Sequence, residues 1–147
     1  MQLKANELAP NDHRALGRLA ESYRAMGENE AGEKEAYAAA IPLAESMMEI
    51  NDQDWKTGAM LATYYVHSDR SDDARAQIES SLSMSKRNPE ALLYAALVFY
   101  ALGEEEITLS TLEEMVEADG SYRNYAAEEP DFRSLQGNKR FERLIQP

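Results

Sequence analysis

The 147-residue chain contains no cysteine, and this absence excludes two kinds of stabilising site. Without thiols there is neither a disulfide framework nor a thiolate metal site. The absence does not distinguish a reducing compartment from an oxidising one, so a cytoplasmic and a periplasmic location both stay open. The first residues resemble the last turns of a helix. We therefore expect residues 1–10 to end a preceding helix within a longer parent protein.

Glycine and proline are scarce, at seven and five residues, and most of them lie at the ends of candidate elements. Alanine, leucine, methionine and glutamate fill the intervals, which predicts an all-α fold. The longest apolar run, Ala91 to Leu102, spans twelve residues. It is too short to cross a bilayer, so we expect no direct membrane insertion. It is also apolar on too many sides for a surface helix, and it must be covered by other helices.

Basic residues are few, with 15 Lys and Arg against 27 Asp and Glu, which gives a formal net charge of -12. The summed electrostatic field repels nucleic acid and anionic lipid. We therefore expect protein or peptide partners and no nucleic acid.

Three turn signals, at Gly27, Asp69 and Gly103, share one pattern of flanking residues. The intervals between them are 42 and 34 residues, and the extra eight residues amount to about two helical turns, which preserves the facing side. Seven positions before each turn lies an alanine, and four positions before it lies an aromatic residue: Ala20, Ala62 and Ala96, then Tyr23, Tyr65 and Phe99. This spacing indicates an internal repeat of helix pairs.

The pattern resembles the tetratricopeptide repeat, a unit of 34 residues with large and small positions in fixed order. The matching residues are Leu16, Leu19, Ala20 and Tyr23; Gly58, Leu61, Ala62 and Tyr65; and Leu92, Ala95, Ala96 and Phe99. Departures are Gly58 at the large first position, and Gly32 and Thr108 at the small position of the second helix. The resemblance implies a right-handed α–α superhelix, a solenoid of antiparallel helix pairs, that forms a single domain over residues 1–147. Its repeats would span residues 11–50, 51–87 and 88–118.

After Ala118 the repeat period ends, although apolar residues continue to recur. A solenoid needs an atypical terminal unit over its last apolar face, so we expect residues 119–147 to form a C-terminal helical cap. The stretch from Glu129 to Ile145 is similar to a tail that closes the repeat domains of multidomain bacterial proteins, including serine/threonine kinases and transcription regulators. The residues that carry this similarity are Phe132, Leu135, Arg140, Phe141 and Leu144. It implies an auxiliary part of a larger bacterial protein.

Local signals predict where the helices begin. The candidate N-caps are Asp12, Asn29, Asp52 or Asp54, Ser71 and Asn88. Pro42 falls inside the second helix of the first repeat, where it removes a backbone hydrogen bond and is expected to kink or split the helix. We expect a bent extension of that helix as far as Ile50.

The tetratricopeptide resemblance implies that the first helix of each pair lines a concave groove. The groove residues predicted on this basis are Arg14, Arg18, Glu21, Arg24, Lys56, Met60, Thr63, His67, Tyr94, Leu97 and Tyr100. One end is cationic and the other is apolar and aromatic, which favours an amphipathic or acidic-hydrophobic peptide as the ligand. The alternative is a structural scaffold whose groove is filled by its own tail, with Tyr122, Tyr125 and Phe132 over the aromatic end. Such a scaffold would form a homodimer through other faces.

Catalytic chemistry finds no support in the sequence. The two histidines form no recognisable triad, and no glycine-rich phosphate loop is present. His67 lies near Asp69, Asp72 and Asp73, but the spacing matches neither a helical histidine pair nor a calcium loop. We therefore expect no enzyme, no cofactor and no metal site.

Overall fold

The structure, a computed structural model, describes residues 12–147, and this part of the chain is helical without a strand. Eight α-helices follow in order: α1 (His13–Met26), α2 (Glu30–Ile50), α3 (Trp55–Val66), α4 (Ser71–Met84), α5 (Pro89–Ala101), α6 (Glu105–Ala118), α7 (Arg123–Glu128) and α8 (Lys139–Ile145). Two 3-10 helices, Gly120–Tyr122 and Pro130–Leu135, flank α7. The helix expected within residues 1–10 lies outside the described residues. From residue 12 onward, no helix is both long and apolar enough to cross a membrane.

The first six helices pack as consecutive pairs: α1 with α2, α3 with α4, and α5 with α6. Successive pairs are joined by contacts of α2 with α3, of α3 with α5 and of α4 with α5. Each pair buries an apolar stripe that it cannot bury alone, which is the packing logic of a helical solenoid. The predicted all-α solenoid is therefore confirmed.

The three aligned turns adopt the same backbone conformation. The φ angles at Gly27, Asp69 and Gly103 are 67°, 60° and 82°, all in the left-handed region. Glycine adopts this region without steric cost, and aspartate tolerates it better than most residues. The alignment of Asp69 with the two glycines is therefore confirmed.

Four of the predicted N-caps accept a hydrogen bond from a backbone N–H in the first turn. These residues are Asp12, Asn29, Asp54 and Asn88. The prediction for Ser71 is wrong, because Arg70 precedes α4 and its carbonyl accepts the N–H of Ala74 at 2.9 Å. Ser71 is therefore already the first helical residue. The Arg70 guanidinium instead bonds Asp73 at 2.8 Å, which ties down the first turn.

Helix α2 runs without interruption from Glu30 to Ile50, with Pro42 inside it. Of the two outcomes expected at Pro42, a kink or a split, the split is therefore wrong, whereas the extension of the helix to Ile50 is confirmed. The proline ring faces outward, and its neighbours Ile41 and Ala44 are buried in the core. Pro42 has no N–H to donate to the helix, but the buried side chains of Ile41 and Ala44 keep this part of the helix packed against the core.

We expect Pro42→Ala to leave the melting temperature almost unchanged. In an isolated helix the change would contribute up to ~3 kcal/mol. Here the packing of Ile41 and Ala44 already fixes the backbone path that the proline requires. The backbone hydrogen bond that alanine restores therefore adds little to the free energy of unfolding. Thermal unfolding followed by circular dichroism measures the effect. Ala38→Gly, at an exposed position of the same helix, is the positive control and should cost about 1 kcal/mol. A clear rise in melting temperature for Pro42→Ala would contradict this expectation.

The last segment packs on α6 as a helical cap. Its apolar residues Phe132, Leu135 and Phe141 are buried, and the Phe132 ring packs edge-on against the ring of Tyr100 on α5. Arg140 reaches α6, where its guanidinium pairs with Glu106 at 2.9 Å and with Glu113 at 2.7 Å. Exposed ion pairs add little, so apolar burial dominates the attachment of the cap.

Candidate functional site: the concave groove

Helices α1, α3 and α5 together line an open cleft of about 210 Å³. Its lining consists of six of the predicted groove residues together with Gly17 on α1 and Tyr64 on α3. Because the lining comes from the first helix of all three pairs, the cleft runs across the stack rather than within one pair. The predicted groove residues that the structure brings together here are Arg14, Arg18, Glu21, Met60, Thr63 and Tyr94.

The floor of this cleft depends on a close approach of α1 to α3. A Cβ atom at Gly17 would lie 2.8 Å from the Tyr64 ring, so a larger residue would push the two helices apart. The Tyr64 hydroxyl lies 2.8 Å from Nδ1 of His13 and donates to the His13 carbonyl oxygen at 3.3 Å. Burial raises the pKa of the Tyr64 phenol, which therefore stays neutral.

Tyr64 and His13 were not among the predicted groove residues. The repeat register singled out the neighbouring Tyr65, whose hydroxyl instead donates to Glu45 on α2 at 2.6 Å. The glycine at position 17, facing an aromatic residue of the next pair, was the signal that could have identified Tyr64.

A second cavity of about 150 Å³ lies further along the groove and has a wall that comes from the cap. Thr63, His67 and Leu97 line one part of it, and the turn from Glu129 to Asp131 lines another. A third space of about 360 Å³ is bordered by His67, Leu97, Tyr100 and Asp131. Residues from α1, α3, α5 and the cap therefore meet at one place.

Lys56 is the predicted groove residue that lines none of these spaces. Its ammonium group pairs with Glu90 at 3.3 Å and links the first turn of α3 to that of α5. This pair neutralises a positive charge that the sequence pattern assigned to the groove.

Arg24 on α1 reaches across the groove to the cap. Its guanidinium donates to the Asp131 carboxylate at 2.9 Å and lies 3.6 Å from Glu33 on α2. Burial lowers the pKa of Arg24, but the charge and hydrogen bond of Asp131 outweigh it and leave the pKa raised. The predicted cationic end is therefore divided: Arg18 is exposed, whereas Arg24 pairs with Asp131 and the exposed Arg14 lies 3.6 Å from the Asp12 carboxylate.

Glu21 lies beside this pair and faces other carboxylates. Burial raises its pKa, and the negative charges of Glu129 and Asp131 raise it further. The pKa of Glu129 is also raised by burial, although the backbone N–H of Asp131, which donates to its carboxylate, opposes the rise. The middle of the groove thus holds more negative than positive charge, which the sequence pattern did not indicate.

His67 is oriented into the groove at the end of α3. Its ring stacks on that of Tyr37, with the ring centroids 5.3 Å apart and the planes at 25°. Burial and then the nearby Arg24 lower its pKa to about 4, so the imidazole is neutral at pH 7. In the part of the chain that the structure describes, no group of three or more metal-ligating side chains is present.

The cap covers the aromatic end of the groove only in part. Phe132 packs edge-on against Tyr100 with centroids 5.8 Å apart. Tyr125 is 59 % exposed and pairs with Tyr122, so it does not act as a cover. Tyr94 and Leu97 are half-buried and border the open spaces.

No family model matches the chain. A 90-residue stretch, 61% of the chain, is 25% identical to DnaJ homolog subfamily C member 3 from Gallus gallus, a protein that contains tetratricopeptide repeats. The match covers 18% of that relative's length, so the chain corresponds to only a small part of it. The fold is compatible with a tetratricopeptide-like domain. Neither comparison links the tail from Glu129 to Ile145 with bacterial kinases or regulators.

Proposed function

We propose that the protein is a non-enzymatic protein-interaction module that binds an extended segment of a partner protein in the cleft between α1, α3 and α5. The observation that carries this proposal is the convergence of Arg18, Met60 and Tyr94, from three successive helix pairs, on one open cleft. Concave grooves of this kind are the surfaces that helical solenoids use for binding. In this proposed function, residues 11–50, 51–87 and 88–118 form the repeats of one domain that serves a larger bacterial protein.

The chemistry of the cleft favours a segment with acidic and apolar residues side by side. Arg18 presents positive charge along its α1 edge, and its side chain is exposed, as is that of Arg14, which pairs with Asp12. Met60 and Tyr94 supply a half-buried apolar surface across from them. The formal net charge of -12 opposes binding to nucleic acid or to anionic membranes, so protein is the proposed partner.

Two charge-introducing variants test this function. Arg18→Glu should weaken peptide binding by removing the charge complement, and Met60→Glu should weaken it by placing a charge on the apolar contact. We expect about tenfold weaker binding for each, which corresponds to about 1.4 kcal/mol. The measurement is fluorescence anisotropy with peptides selected from a displayed random library against the wild-type protein.

Matched controls make the same changes outside the cleft. Lys139→Glu reverses a charge on α8, and Met47→Glu alters an exposed methionine on α2. Neither should change peptide affinity. If all four variants bind the selected peptides equally, the cleft is not the binding site.

The alternative function is a structural scaffold, favoured by the turn from Glu129 to Asp131 that lies in the groove. Exposed apolar side chains elsewhere, namely Met26, Met47 and Ile50, would then form a homodimer interface. Sedimentation equilibrium separates the two functions. Concentration-dependent mass that is lost in Met47→Glu, together with no peptide selected by the groove, would support the scaffold.

A further inference from the structure

The turn from Glu129 to Asp131 occupies part of the groove without filling it. A cavity of about 150 Å³, lined also by Thr63, and a space of about 360 Å³, lined also by Tyr100, both adjoin the turn. Arg24, His67, Leu97 and Asp131 border both spaces. Asp131 of the turn therefore adjoins two neighbouring spaces of the groove, which share three further lining residues.

The ion pair between Arg24 and Asp131 links this turn to the opposite wall. The two residues are 107 positions apart in sequence, and their side chains are only partly accessible, at 30% and 23%. The next residue, Phe132, is buried in the core. Asp131 can therefore leave Arg24 by rotation of its side chain, while Phe132 keeps the cap in place.

Opposing forces act on the turn. Arg24 attracts Asp131, whereas the Glu21 carboxylate faces both Glu129 and Asp131. Like charges that lie close together repel one another, so the partly accessible contact of Asp131 with Arg24 is held by a small balance of free energy, while the buried Phe132 anchors the turn itself. The Asp131 carboxylate on Arg24 is therefore suited to exchange with a carboxylate of another ligand.

We infer that the turn from Glu129 to Asp131 is an intramolecular competitor that closes the Arg24 half of the groove until an acidic side chain of the partner replaces Asp131. The inference rests on the proposed function and specifies how that site is regulated. Replacing one carboxylate with another on Arg24 leaves the local charge balance unchanged, so the exchange does not add to the repulsion around Glu21. An apolar neighbour of the partner's acidic residue would then contact Leu97 and Tyr100.

The first test needs no partner. Because the chain has no cysteine, Leu97→Cys places a single thiol at a position that borders both spaces next to the turn. Alkylation by N-ethylmaleimide should become up to about fivefold faster when Asp131→Asn is added, the range expected from loss of a partly exposed ion pair. Glu128→Gln, which removes an exposed acid of the same cap, is the matched control and should leave the rate unchanged.

Two further variants distinguish an opened turn from a damaged fold. Glu21→Gln removes the repulsion and should slow alkylation, which a merely destabilising change would not do. The charge exchange Arg24→Asp with Asp131→Arg should restore slow alkylation, although each single change accelerates it. A thiol in the core at Ile78→Cys should stay unreactive in every background.

The second test uses a synthetic peptide of residues 127–133, Ala-Glu-Glu-Pro-Asp-Phe-Arg, added to the full chain. Nuclear magnetic resonance titration should show tighter binding to Asp131→Asn than to the wild type, and loss of binding when Arg24→Gln is added. Equal binding to the wild type and Asp131→Asn, or an alkylation rate that does not respond to Asp131→Asn, overturns the inference and leaves groove binding intact. The proposed function fails separately, if library peptides selected against the wild type ignore Arg18→Glu and Met60→Glu.

Discussion

Replacing Phe141 by alanine is expected to lower the free energy of unfolding by about 3–5 kcal/mol, the cost of truncating a fully buried phenylalanine. The side chain is 2 % exposed, and its ring packs edge-on against Phe132 with the centroids 6.3 Å apart. Phe132 in turn contacts Tyr100 on α5, so the lost ring also loosens the attachment of the cap to the last pair. Urea denaturation followed by circular dichroism measures the loss.

Tyr125→Ala is the matched control for this experiment. It removes an aromatic side chain from the same cap, but one that is 59 % exposed, so the expected change is within about 0.5 kcal/mol. A Phe141→Ala variant as stable as the Tyr125→Ala control would show that the cap is not an integral part of the fold. A separate early transition in Phe141→Ala would show that the cap unfolds before the helix pairs.

The second large effect is a pH dependence of stability that originates at His67. Burial, together with Arg24, holds its pKa at about 4, below the value of 6.5 that applies to the unfolded chain. As the pH falls below 6.5, the unfolded state binds a proton that the folded state does not bind, so stability decreases until the pH reaches about 4. Between pH 7 and pH 5 the expected loss is about 2 kcal/mol.

Other groups titrate in the same range and must be separated from His67. His13, whose pKa is also lowered by burial, adds to the loss. Glu21 and Glu129 have raised pKa values, so the folded state binds protons at a higher pH than the unfolded state does. Their contribution to stability therefore rises as the pH falls towards 4.5, which opposes the effect of His67. The decisive measurement is therefore the difference between wild type and His67→Gln in urea denaturation at pH 7 and pH 5. Parallel pH profiles of the two proteins would contradict the assignment to His67.

The repeat architecture was predictable because its signals are local. The turns at Gly27, Asp69 and Gly103 have positive φ angles, and the residue types allowed there are few. Helix starts were also marked by short polar side chains that accept backbone N–H groups, as at Asn29 and Asn88. The prediction failed at Ser71, where the preceding turn places Arg70 before the helix and no side chain performs the capping.

The charge pattern of the groove could be predicted only in part. Counting along α1 places Arg18 and Glu21 on one face, since the helical period determines which residues share a face, and both residues line the cleft. It could not show that Asp131 pairs with Arg24, because that contact depends on the path of the cap over 107 residues. The neighbouring Glu21 then lies among like charges rather than in a cationic surface.

In a simple helical solenoid each repeat contacts only its neighbours, so the total stability is a sum of repeat and interface contributions. The ion pair between Arg24 and Asp131 departs from that rule, since it joins the first helix pair directly to the terminal cap across the intervening pairs. The contacts therefore do not form a simple linear series, because the cap contacts the first helix pair as well as the last one. A partly accessible ion pair contributes only about 1 kcal/mol or less, so the coupling between the two ends is weak, but it connects α1 to the cap without passing through every repeat between them.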